Sequence, residues 1–236
     1  MKFVDLHVNP TSKDLEEVLT FAAELGYVYI GLTPNNNQQQ TSEIARKVGL
    51  EAVSRINLTP KDPEELLALL KRFRLKYEIV AIKCIDHKVA KQAAKDHRVD
   101  LLNFPINSRI IFDEPTAQLA STSNAALEIT FSDLIMNQEM QRVITIDKLY
   151  REVKNAHRYK VPIILSSGAK TPYQLREPRD IAALVSVIGL VQKEALEALS
   201  SLPLKIIEIN REKLKPDYAR GVRLIRRGKN YGRQEI

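Results

Sequence analysis

The chain has 236 residues and a formal net charge of +7, and its 44% hydrophobic and 28% charged residues exclude a disordered polymer. The single cysteine, Cys84, excludes a disulfide framework or a cysteine-rich zinc site and indicates a reducing, cytoplasmic environment. The longest apolar run, residues 181–191, is too short to span a membrane, and Asp5 and His7 interrupt the region where a signal peptide would be apolar.

Apolar strands alternate with amphipathic helices through most of the chain. The first residues predict a strand at 3–8, a helix at 15–25 that ends at Gly26, and a buried strand at 27–32. Further strands are predicted at 51–57, 79–84, 99–104, 125–131, 161–166 and 204–209, with helices that include 62–72, 143–159 and 180–199. About eight strand–helix units predict an α/β fold, a TIM-like parallel barrel over residues 1–210. The alternative is an open doubly wound sheet.

Polar residues stand at the carboxyl ends of these predicted strands, where parallel α/β folds place their functional groups. They are Asp5, His7, Thr33, Arg55, Asn57, Lys83, Asn103, Ser166, Ser167 and Asn210. One aspartate and one histidine among cations and neutral groups are too few ligands for a two-metal hydrolase. The sequence also has no glycine-rich nucleotide loop, Walker loop, nucleophile elbow or zincin motif. It therefore predicts no catalytic residue and no metal site.

The segment after the seventh predicted strand is the most informative local motif. Ser167, Gly168 and Lys170 form a glycine-bearing loop of the kind that binds phosphate in many barrels, and Arg176 and Arg179 follow before a predicted helix. These residues predict a phosphate-binding site. A loop that only connects the strand to the helix is the alternative.

The positive charge is concentrated in an arm at the end of the sequence, residues 211–236. This arm holds nine Lys or Arg residues and three acidic residues, so it carries +6 of the net charge, and the remainder is nearly neutral. Such asymmetry is typical of a segment that binds nucleic acid, with a solubilising tail as the alternative. The arm residues that we expect to bind RNA are Arg220, Arg223, Arg226 and Arg227.

Several motifs between residues 161 and 210 resemble those of a known family, the barrel-fold protein subunit of archaeal and eukaryotic ribonuclease P, called protein component 3 in archaea. They are the runs LSSGA at 165–169 and REPRD at 176–180, then Gly189, residues 195–196, Pro203 and Asn210. The opening FVDLH at 3–7 agrees more loosely. The resemblance implies a subunit of the ribonucleoprotein endonuclease that removes the 5′ leader from precursor tRNA.

The resemblance also implies which functions belong to the RNA of that enzyme and which belong to the protein. The RNA is catalytic and holds Mg²⁺ on its phosphates, while the protein supports the RNA and needs no cofactor of its own. Its partners would be ribonuclease P RNA, precursor tRNA and other protein subunits, one of them a small protein in direct contact. No membrane partner is expected.

The family's barrel is similar to the PHP metallo-phosphoesterases, which carry an H-x-H motif on the first strand and a D-x-H motif late in the barrel. In this chain the first motif reads Asp5-x-His7 and the second reads Gly168-x-Lys170. The comparison implies that Asp5 and His7 are remnants of a metal site, because a lysine repels the ion that a histidine would bind. A stand-alone metal-dependent phosphoesterase and a phosphate-binding barrel enzyme acting on a metabolite are the competing hypotheses.

Overall fold

The computed structural model describes residues 1–33 and 38–215, and in these ranges the chain alternates between strands and helices. The strands are β1 (Phe3–Val8), β2 (Tyr27–Leu32), β3 (Glu51–Leu58), β4 (Ile79–Lys83), β5 (Leu101–Asn103), β6 (Ala126–Thr130) and β7 (Ile163–Ser166). The helices are α1 (Leu15–Glu24), α2 (Gln38–Lys47), α3 (Pro63–Phe73), α4 (His87–Lys95), α5 (Glu114–Ala120), α6 (Ser132–Met136), α7 (Glu139–Tyr159), α8 (Pro178–Leu184), α9 (Gln192–Ala198) and α10 (Ser201–Leu214). Within the described ranges, no helix is both long enough and apolar enough to cross a membrane.

The strands form one parallel sheet in which each strand pairs with its neighbour in the sequence. The sheet curls until β7 reaches β1, and Val8 forms a parallel bridge with Ala169. At this seam the Gly168 N–H donates to the carbonyl of His7 at 2.8 Å, and the Asn9 N–H donates to the carbonyl of Ala169 at 2.8 Å. The predicted TIM-like barrel is confirmed. The doubly wound sheet is excluded, because that fold places strands out of sequence order.

Aspartate side chains begin the helices that follow β3, β4 and β5. Asp62 accepts the Glu65 N–H, Asp86 accepts the Val89 N–H, and Asp113 accepts the N–H at the third residue of α5. Each bond satisfies a backbone donor that the first helical turn leaves free, which stabilises the helix by about 1 kcal/mol. These caps fix the points at which the chain leaves the carboxyl end of the barrel.

The barrel interior is apolar at one end and polar at the other. Alternate residues of each strand point inward. Toward the amino ends of the strands, the inward residues are Val4, Tyr29, Val53, Ile79, Ala81, Leu101, Ala126 and Ile164, which form one buried cluster. Two residues further along the strands they become Arg55, Glu128 and Ser166, all buried. At the carboxyl ends they are Asn57, Lys83, Asn103 and Thr130.

Helix α10 closes the apolar end of the barrel. Ile207 is fully buried and packs in the same cluster as the inward residues of the strands. The Asn210 side-chain amide donates to the carbonyl of Glu78 and to a carboxylate oxygen of Asp100, both at 2.8 Å. Arg211 forms ion pairs with the carboxylates of Glu51 and Glu78. The end of the described chain is thus anchored beneath the barrel.

The prediction of an eighth strand at residues 204–209 is wrong, because these residues lie in α10. The buried positions of this helix are Pro203, Ile207 and Asn210, whose spacing of four and three is helical. A short apolar run does not by itself distinguish a strand from a buried helix. Since α10 continues to Leu214, the predicted boundary between barrel (1–210) and arm (211–236) falls inside a helix, and residues 216–236 lie outside the described ranges.

The helix predicted at residues 180–199 is divided into two. Helix α8 passes into a 3₁₀ turn at Val185–Ile188, and α9 starts three residues after Gly189 on a new axis. Gly189 has a φ of +91°, a conformation that glycine adopts without strain, and it faces the ring of Tyr150 on α7. The apolar run in this region therefore packs as a bent pair of short helices.

Candidate functional site

Of the polar residues predicted at the strand ends, His7, Arg55, Asn57, Lys83 and Asn103 converge around the opening at the carboxyl end of the barrel. This end, which we call the barrel mouth, comprises His7, Arg55, Asn57, Lys83, Asn103, Glu128, Thr130 and Lys170. Asn210 lies at the opposite end, on α10, so its predicted place among these functional groups is wrong. The error follows from reading α10 as a strand.

A buried ion pair between Arg55 and Glu128 forms the floor of the barrel mouth. The two guanidinium Nη atoms contact the two carboxylate oxygens at 2.5 and 2.6 Å, and both side chains are fully buried. Arg55 also donates from Nη1 to the carbonyl of Leu6 at 2.9 Å and from Nε to the amide oxygen of Asn57 at 2.8 Å. Burial alone would raise the pKa of Glu128, but the charge of Arg55 lowers it to about 2. The pair is therefore ionised near neutral pH, and its two charges cancel.

Strand β1 is distorted where it meets this pair. The register between β1 and β2 shifts between Asp5 and Val8. Gly31 on β2 permits the distortion, because a Cβ atom at that position would lie 2.2 Å from the carbonyl oxygen of Leu6. The shift turns the Leu6 carbonyl toward the guanidinium of Arg55.

His7 lies above the ion pair and is held as a neutral imidazole. Its Nε2 lies 3.3 Å from the Asn57 amide nitrogen, and its Nδ1 lies 3.7 Å from a carboxylate oxygen of Glu128. Burial lowers the pKa of His7 to about 4, and the positive charges of Arg55, Lys83 and Lys170 act in the same direction. Both lysine ammonium groups therefore lie within electrostatic reach of this ring.

We predict that the His7 imidazole stays neutral at pH 6 and protonates only near pH 4. Because the unfolded chain takes up this proton at about pH 6.5, His7 stabilises the fold above that pH and loses about 3 kcal/mol as the pH falls to 4. The NMR shifts of the His7 ring carbons report its protonation directly, with the exposed His157 as the control resonance. A midpoint near 6.5 for His7 would contradict the buried environment described above.

Asp5 joins the two edges of the barrel and does not face the mouth. One carboxylate oxygen accepts the N–H groups of His7 and Ser167, both at 3.0 Å. Burial raises the pKa of Asp5 to about 6, although these hydrogen bonds oppose the shift. Because the pKa of Asp5 is raised in the folded protein, Asp5 increases the stability of the fold as the pH falls from 6 toward 4. This effect partly offsets the opposite effect of His7.

The loop after β7 is used mainly to close the barrel. The Ser167 N–H is bonded to Asp5 and the Gly168 N–H to the carbonyl of His7, so these two donors are already occupied. Gly168 has a φ of +68°, and a Cβ atom there would lie 2.3 Å from the methyl carbon of Thr130. The backbone N–H groups of Ser167 and Gly168 are therefore not free to bind phosphate. The side chains that follow them remain as the candidates for the predicted phosphate site.

The cations of this loop have different surroundings. Lys170 and Arg179 are exposed, and no ion pair within the described ranges involves either one. Arg176 instead donates from Nη1 to the carbonyls of Tyr173 and Leu175, at 2.7 and 2.6 Å. Arg176 is thereby engaged in holding the loop. The predicted arm residues Arg220, Arg223, Arg226 and Arg227 lie outside the described ranges.

The donor set of the barrel mouth does not fit a metal site. Among residues 1–33 and 38–215, no group of three or more His, Cys, Asp or Glu side chains is arranged to hold an ion. The carboxylate of Glu128, 3.7 Å from His7 Nδ1, is neutralised by Arg55, and the positive charges of Lys83 and Lys170 also act on His7. The guanidinium of Arg55 thus balances the charge of the Glu128 carboxylate, as a bound metal ion would do in a metal site.

Sequence reasoning missed Glu128, although a signal for it was present. Glu128 is the one charged residue in the apolar strand β6, ALEIT. A carboxylate in the middle of a strand buried on both faces needs a cationic partner, because an unpaired buried charge is very costly. Arg55 occupies the equivalent middle position of β3, and the two could have been paired on this ground.

Cys84 is a structural residue. It is fully buried at the end of β4, with its thiol 3.6 Å from the carbonyl oxygen of Ile82. Burial raises the pKa of this thiol well above its usual value, so the neighbouring Lys83 does not activate it as a nucleophile.

Helix α7 has an exposed apolar face opposite its buried one. Met140, Val143, Ile144 and Tyr150, which we call the α7 stripe, are each at least half exposed and recur at helical spacing. Met136 of α6, 55% exposed, directly precedes them. Exposed apolar side chains at helical spacing on one face of a helix are typical of a surface that contacts another macromolecule.

Known proteins match this chain over the whole described barrel. The sequence profile of the family described as "RNase P subunit p30" matches residues 2–215. The chain is 31% identical to "Ribonuclease P protein component 3" of Methanothermobacter thermautotrophicus, with 95% of this chain and 96% of the relative covered. It is 28% identical to the protein of the same name from Methanococcoides burtonii, over 88% and 87% of the two chains.

A similar fold occurs in a solved assembly. One chain in the cryo-EM structure of archaeal ribonuclease P with mature tRNA superposes with a TM-score of 0.81 and 24% identity. The match covers 96% of this chain and 99% of the other. The two proteins therefore share the barrel over nearly their full lengths.

Proposed function

The chain belongs to the RNase P subunit p30 family, and we propose from this that it is a protein subunit of ribonuclease P, the ribonucleoprotein that removes the 5′ leader of precursor tRNA. The observation that carries the proposal is the family match over residues 2–215, which includes every strand and helix of the described barrel. RNA and other protein subunits are its partners, and its enzymatic role is exercised within the holoenzyme.

Native co-purification tests this function. The full chain is tagged, isolated from cells under native conditions, and its bound RNA is sequenced. We expect one abundant structured RNA, together with precursor tRNAs and further protein subunits. Depletion of the chain should cause precursor tRNAs with unprocessed 5′ ends to accumulate. Purification free of RNA, with tRNA 5′ ends unaffected by depletion, would contradict the proposal.

In this proposal the chain contributes no catalytic group, and the Mg²⁺ used in cleavage is held by RNA phosphates. The support is the chemistry of the barrel mouth. Arg55 neutralises Glu128, and Lys83 and Lys170 disfavour a bound metal cation. A stand-alone metal-dependent phosphoesterase would need the opposite arrangement, with several ionised carboxylates and free imidazoles around one point.

We predict that the isolated protein cleaves neither RNA nor a phosphoester model substrate, with Mg²⁺, Mn²⁺ or Zn²⁺ added. The measurement is turnover of precursor tRNA and of p-nitrophenyl phosphate by RNA-free protein, with the reconstituted ribonucleoprotein as the active control. Metal-dependent turnover that His7→Ala abolishes would establish the phosphoesterase hypothesis instead. His7 is the informative position because it is the only histidine at the mouth within the described ranges.

The proposed RNA contacts lie on two parts of the chain. Lys170 is exposed on the loop that follows β7 and Arg179 is exposed in the first turn of α8, and Arg220, Arg223, Arg226 and Arg227 are four of the nine basic residues of the arm. Ser167, Gly168 and Arg176 support RNA binding by shaping that loop, since Ser167 and Gly168 bond to β1 and Arg176 bonds to carbonyls of the loop. Lys170→Ala and Arg179→Ala are the variants that report on direct contacts.

We further propose that one small protein subunit binds this chain directly, in the cytoplasm, and that the α7 stripe contacts it. An apolar, methionine-containing surface is suited to another protein and not to a phosphate backbone. The reducing environment indicated by the single, buried Cys84 supports the cytoplasmic location.

A charge placed in the α7 stripe should release the protein partner. We expect Val143→Asp/Ile144→Asp to reduce the amount of co-purified protein subunit at least tenfold, because an ionised carboxylate opposes burial in an apolar contact. Quantitative mass spectrometry of the purified complex measures the effect. Leu75→Asp, at another exposed apolar residue, is the matched control. Equal subunit recovery from the stripe variant and the control would place the partner elsewhere.

A further inference from the structure

The barrel mouth presents hydrogen-bond donors that the described contacts do not use. The side-chain amide of Asn57 directs one N–H toward His7 Nε2, and the amide of Asn103 directs one N–H toward Thr130 Oγ1 at 3.1 Å. Each amide nitrogen carries two hydrogens, so each has a second N–H that no hydrogen bond within the described ranges engages. Both side chains are partly exposed at the mouth.

Two lysines supply charge at the same place. Lys83 follows the inward-pointing residues Ile79 and Ala81 by the alternation of β4, so its side chain is directed over the mouth. Lys170 stands at the opposite edge, after β7. Lys83 is the register partner of Asn103, and Lys170 directly follows the bridge between Ala169 and Val8, next to His7 in the chain. The positive charges of both lysines lower the pKa of His7. Neither of them forms an ion pair within the described ranges.

The groups beneath and beside the two lysines determine the net charge. The Arg55–Glu128 pair is neutral as a unit, and His7 is uncharged near pH 7. The acidic group Asp133 is in electrostatic contact with Lys83, but burial raises its pKa, and it also interacts with Lys148. The mouth therefore carries excess positive charge, from Lys83 and Lys170, at neutral pH.

We propose that the barrel mouth binds a single phosphate group, with Lys83 and Lys170 as its charge partners and the amides of Asn57 and Asn103 as its hydrogen-bond donors. Two cations and two N–H donors around one opening match the charge and the several oxygens of a phosphate. The RNA backbone is the source of this phosphate, an assignment that rests on the proposed function. A free phosphate ion has the same recognition chemistry, so the test separates the two sources.

The first experiment is NMR of the full-length, RNA-free protein. The ring resonances of His7 are recorded as inorganic phosphate is added, and again as a short single-stranded RNA is added, both at constant ionic strength. We expect the RNA to shift the His7 resonances, and Lys83→Ala/Lys170→Ala to abolish the shift. The charge-matched control is Lys91→Ala/Lys193→Ala, at exposed lysines on the outer helices α4 and α9, and it should preserve the shift.

The second experiment counts the phosphates. If both lysines bind the same phosphate of a single strand, their joint removal lowers the slope of log K against log salt by about 0.7, and not by twice that amount. The affinity should fall about tenfold, and the effect of Lys83→Ala should shrink when Lys170→Ala is already present. Fluorescence anisotropy with the same RNA at several salt concentrations measures all three quantities.

These outcomes are separable from the function of the chain. If the native complex still contains its RNA but neither phosphate nor RNA moves the His7 resonances, the phosphate site is refuted and the proposed function stands. Shifts caused by inorganic phosphate alone would refute the RNA backbone as the source. Independent, additive effects of the two lysines would refute a shared phosphate.

Discussion

Arg55→Met is expected to lower the free energy of unfolding by about 3–5 kcal/mol, the largest effect of any single substitution at the barrel mouth. The methionine fills a similar volume but leaves the fully buried carboxylate of Glu128 without its cation. The carbonyl of Leu6 and the amide oxygen of Asn57 also lose a donor. Urea denaturation at pH 7 measures the change.

The pH dependence of this variant identifies the cause. In the wild-type chain the pKa of Glu128 is lowered to about 2, so its stabilising effect is present above pH 4.5 and is lost as the pH falls toward 2. In Arg55→Met the unpaired carboxylate should titrate above its ordinary range, so that acidification from pH 7 to 5 restores stability. A variant whose stability is independent of pH in this interval would contradict the role assigned to the pair.

Two further variants serve as controls. Arg55→Met/Glu128→Leu removes both charges and should recover much of the lost stability, because apolar residues replace buried ion pairs with little cost. Arg98→Met breaks the more exposed pair with Asp96 and should cost no more than about 1 kcal/mol. Equal losses in Arg55→Met and Arg98→Met would show that burial of the Glu128 carboxylate has no special energetic weight.

Truncation after Lys215 is expected to weaken RNA binding by about a hundredfold at moderate salt while leaving the thermal midpoint within a few degrees. Residues 216–236 contain six Lys or Arg and two acidic residues, a net charge of +4. If four phosphates are neutralised by this segment, the slope of log K against log salt should fall by about 3. Anisotropy titrations and thermal unfolding of the 1–215 chain provide the two measurements.

Truncation five residues earlier is the informative companion. The 1–210 chain also lacks Arg211, which pairs with Glu51 and Glu78 beneath the barrel, and should be less stable than 1–215 by about 1 kcal/mol. Unaltered RNA affinity of the 1–215 chain would show that the arm does not bind RNA and is only a solubilising tail. Equal stability of the two truncated chains would show that Arg211 does not stabilise the fold, and it would support a boundary between barrel and arm at residue 210.

Most of the fold could be predicted because strands of a parallel barrel are apolar in a continuous run and are separated by clear helical spacing. β1 and β2 were predicted with their observed bounds. The failure at α10 has a physical reason. Helix α10 packs against strand residues on one side, and Arg211 on it pairs with Glu78. Its apolar residues therefore show neither a clean helical stripe nor strict alternation.

Part of the composition of the site was predicted, but its arrangement was not. Strand ends identify Arg55, Asn57 and Lys83 as mouth residues, because alternation fixes which residues point inward. The sequence does not reveal that Arg55 forms an ion pair with Glu128. It also does not reveal that the N–H groups of Ser167 and Gly168 donate to residues of β1. Those facts depend on which strands lie opposite each other after closure, at separations of 73 and 162 residues.

The seam between β1 and β7 also differs from the other strand pairings in the length of chain that separates its two sides. Each of the other strand pairs joins neighbours in the sequence, whereas Asp5 and Ser167 at the seam are 162 residues apart. The seam is held by a few backbone bonds, such as Gly168 to His7, and by the Val4 N–H bonded to the carbonyl of Leu199. Closing the seam therefore carries a larger loop-closure entropy cost than forming any of the other strand pairs. In the finished protein the amides along this seam should exchange with solvent sooner than those between β2 and β6.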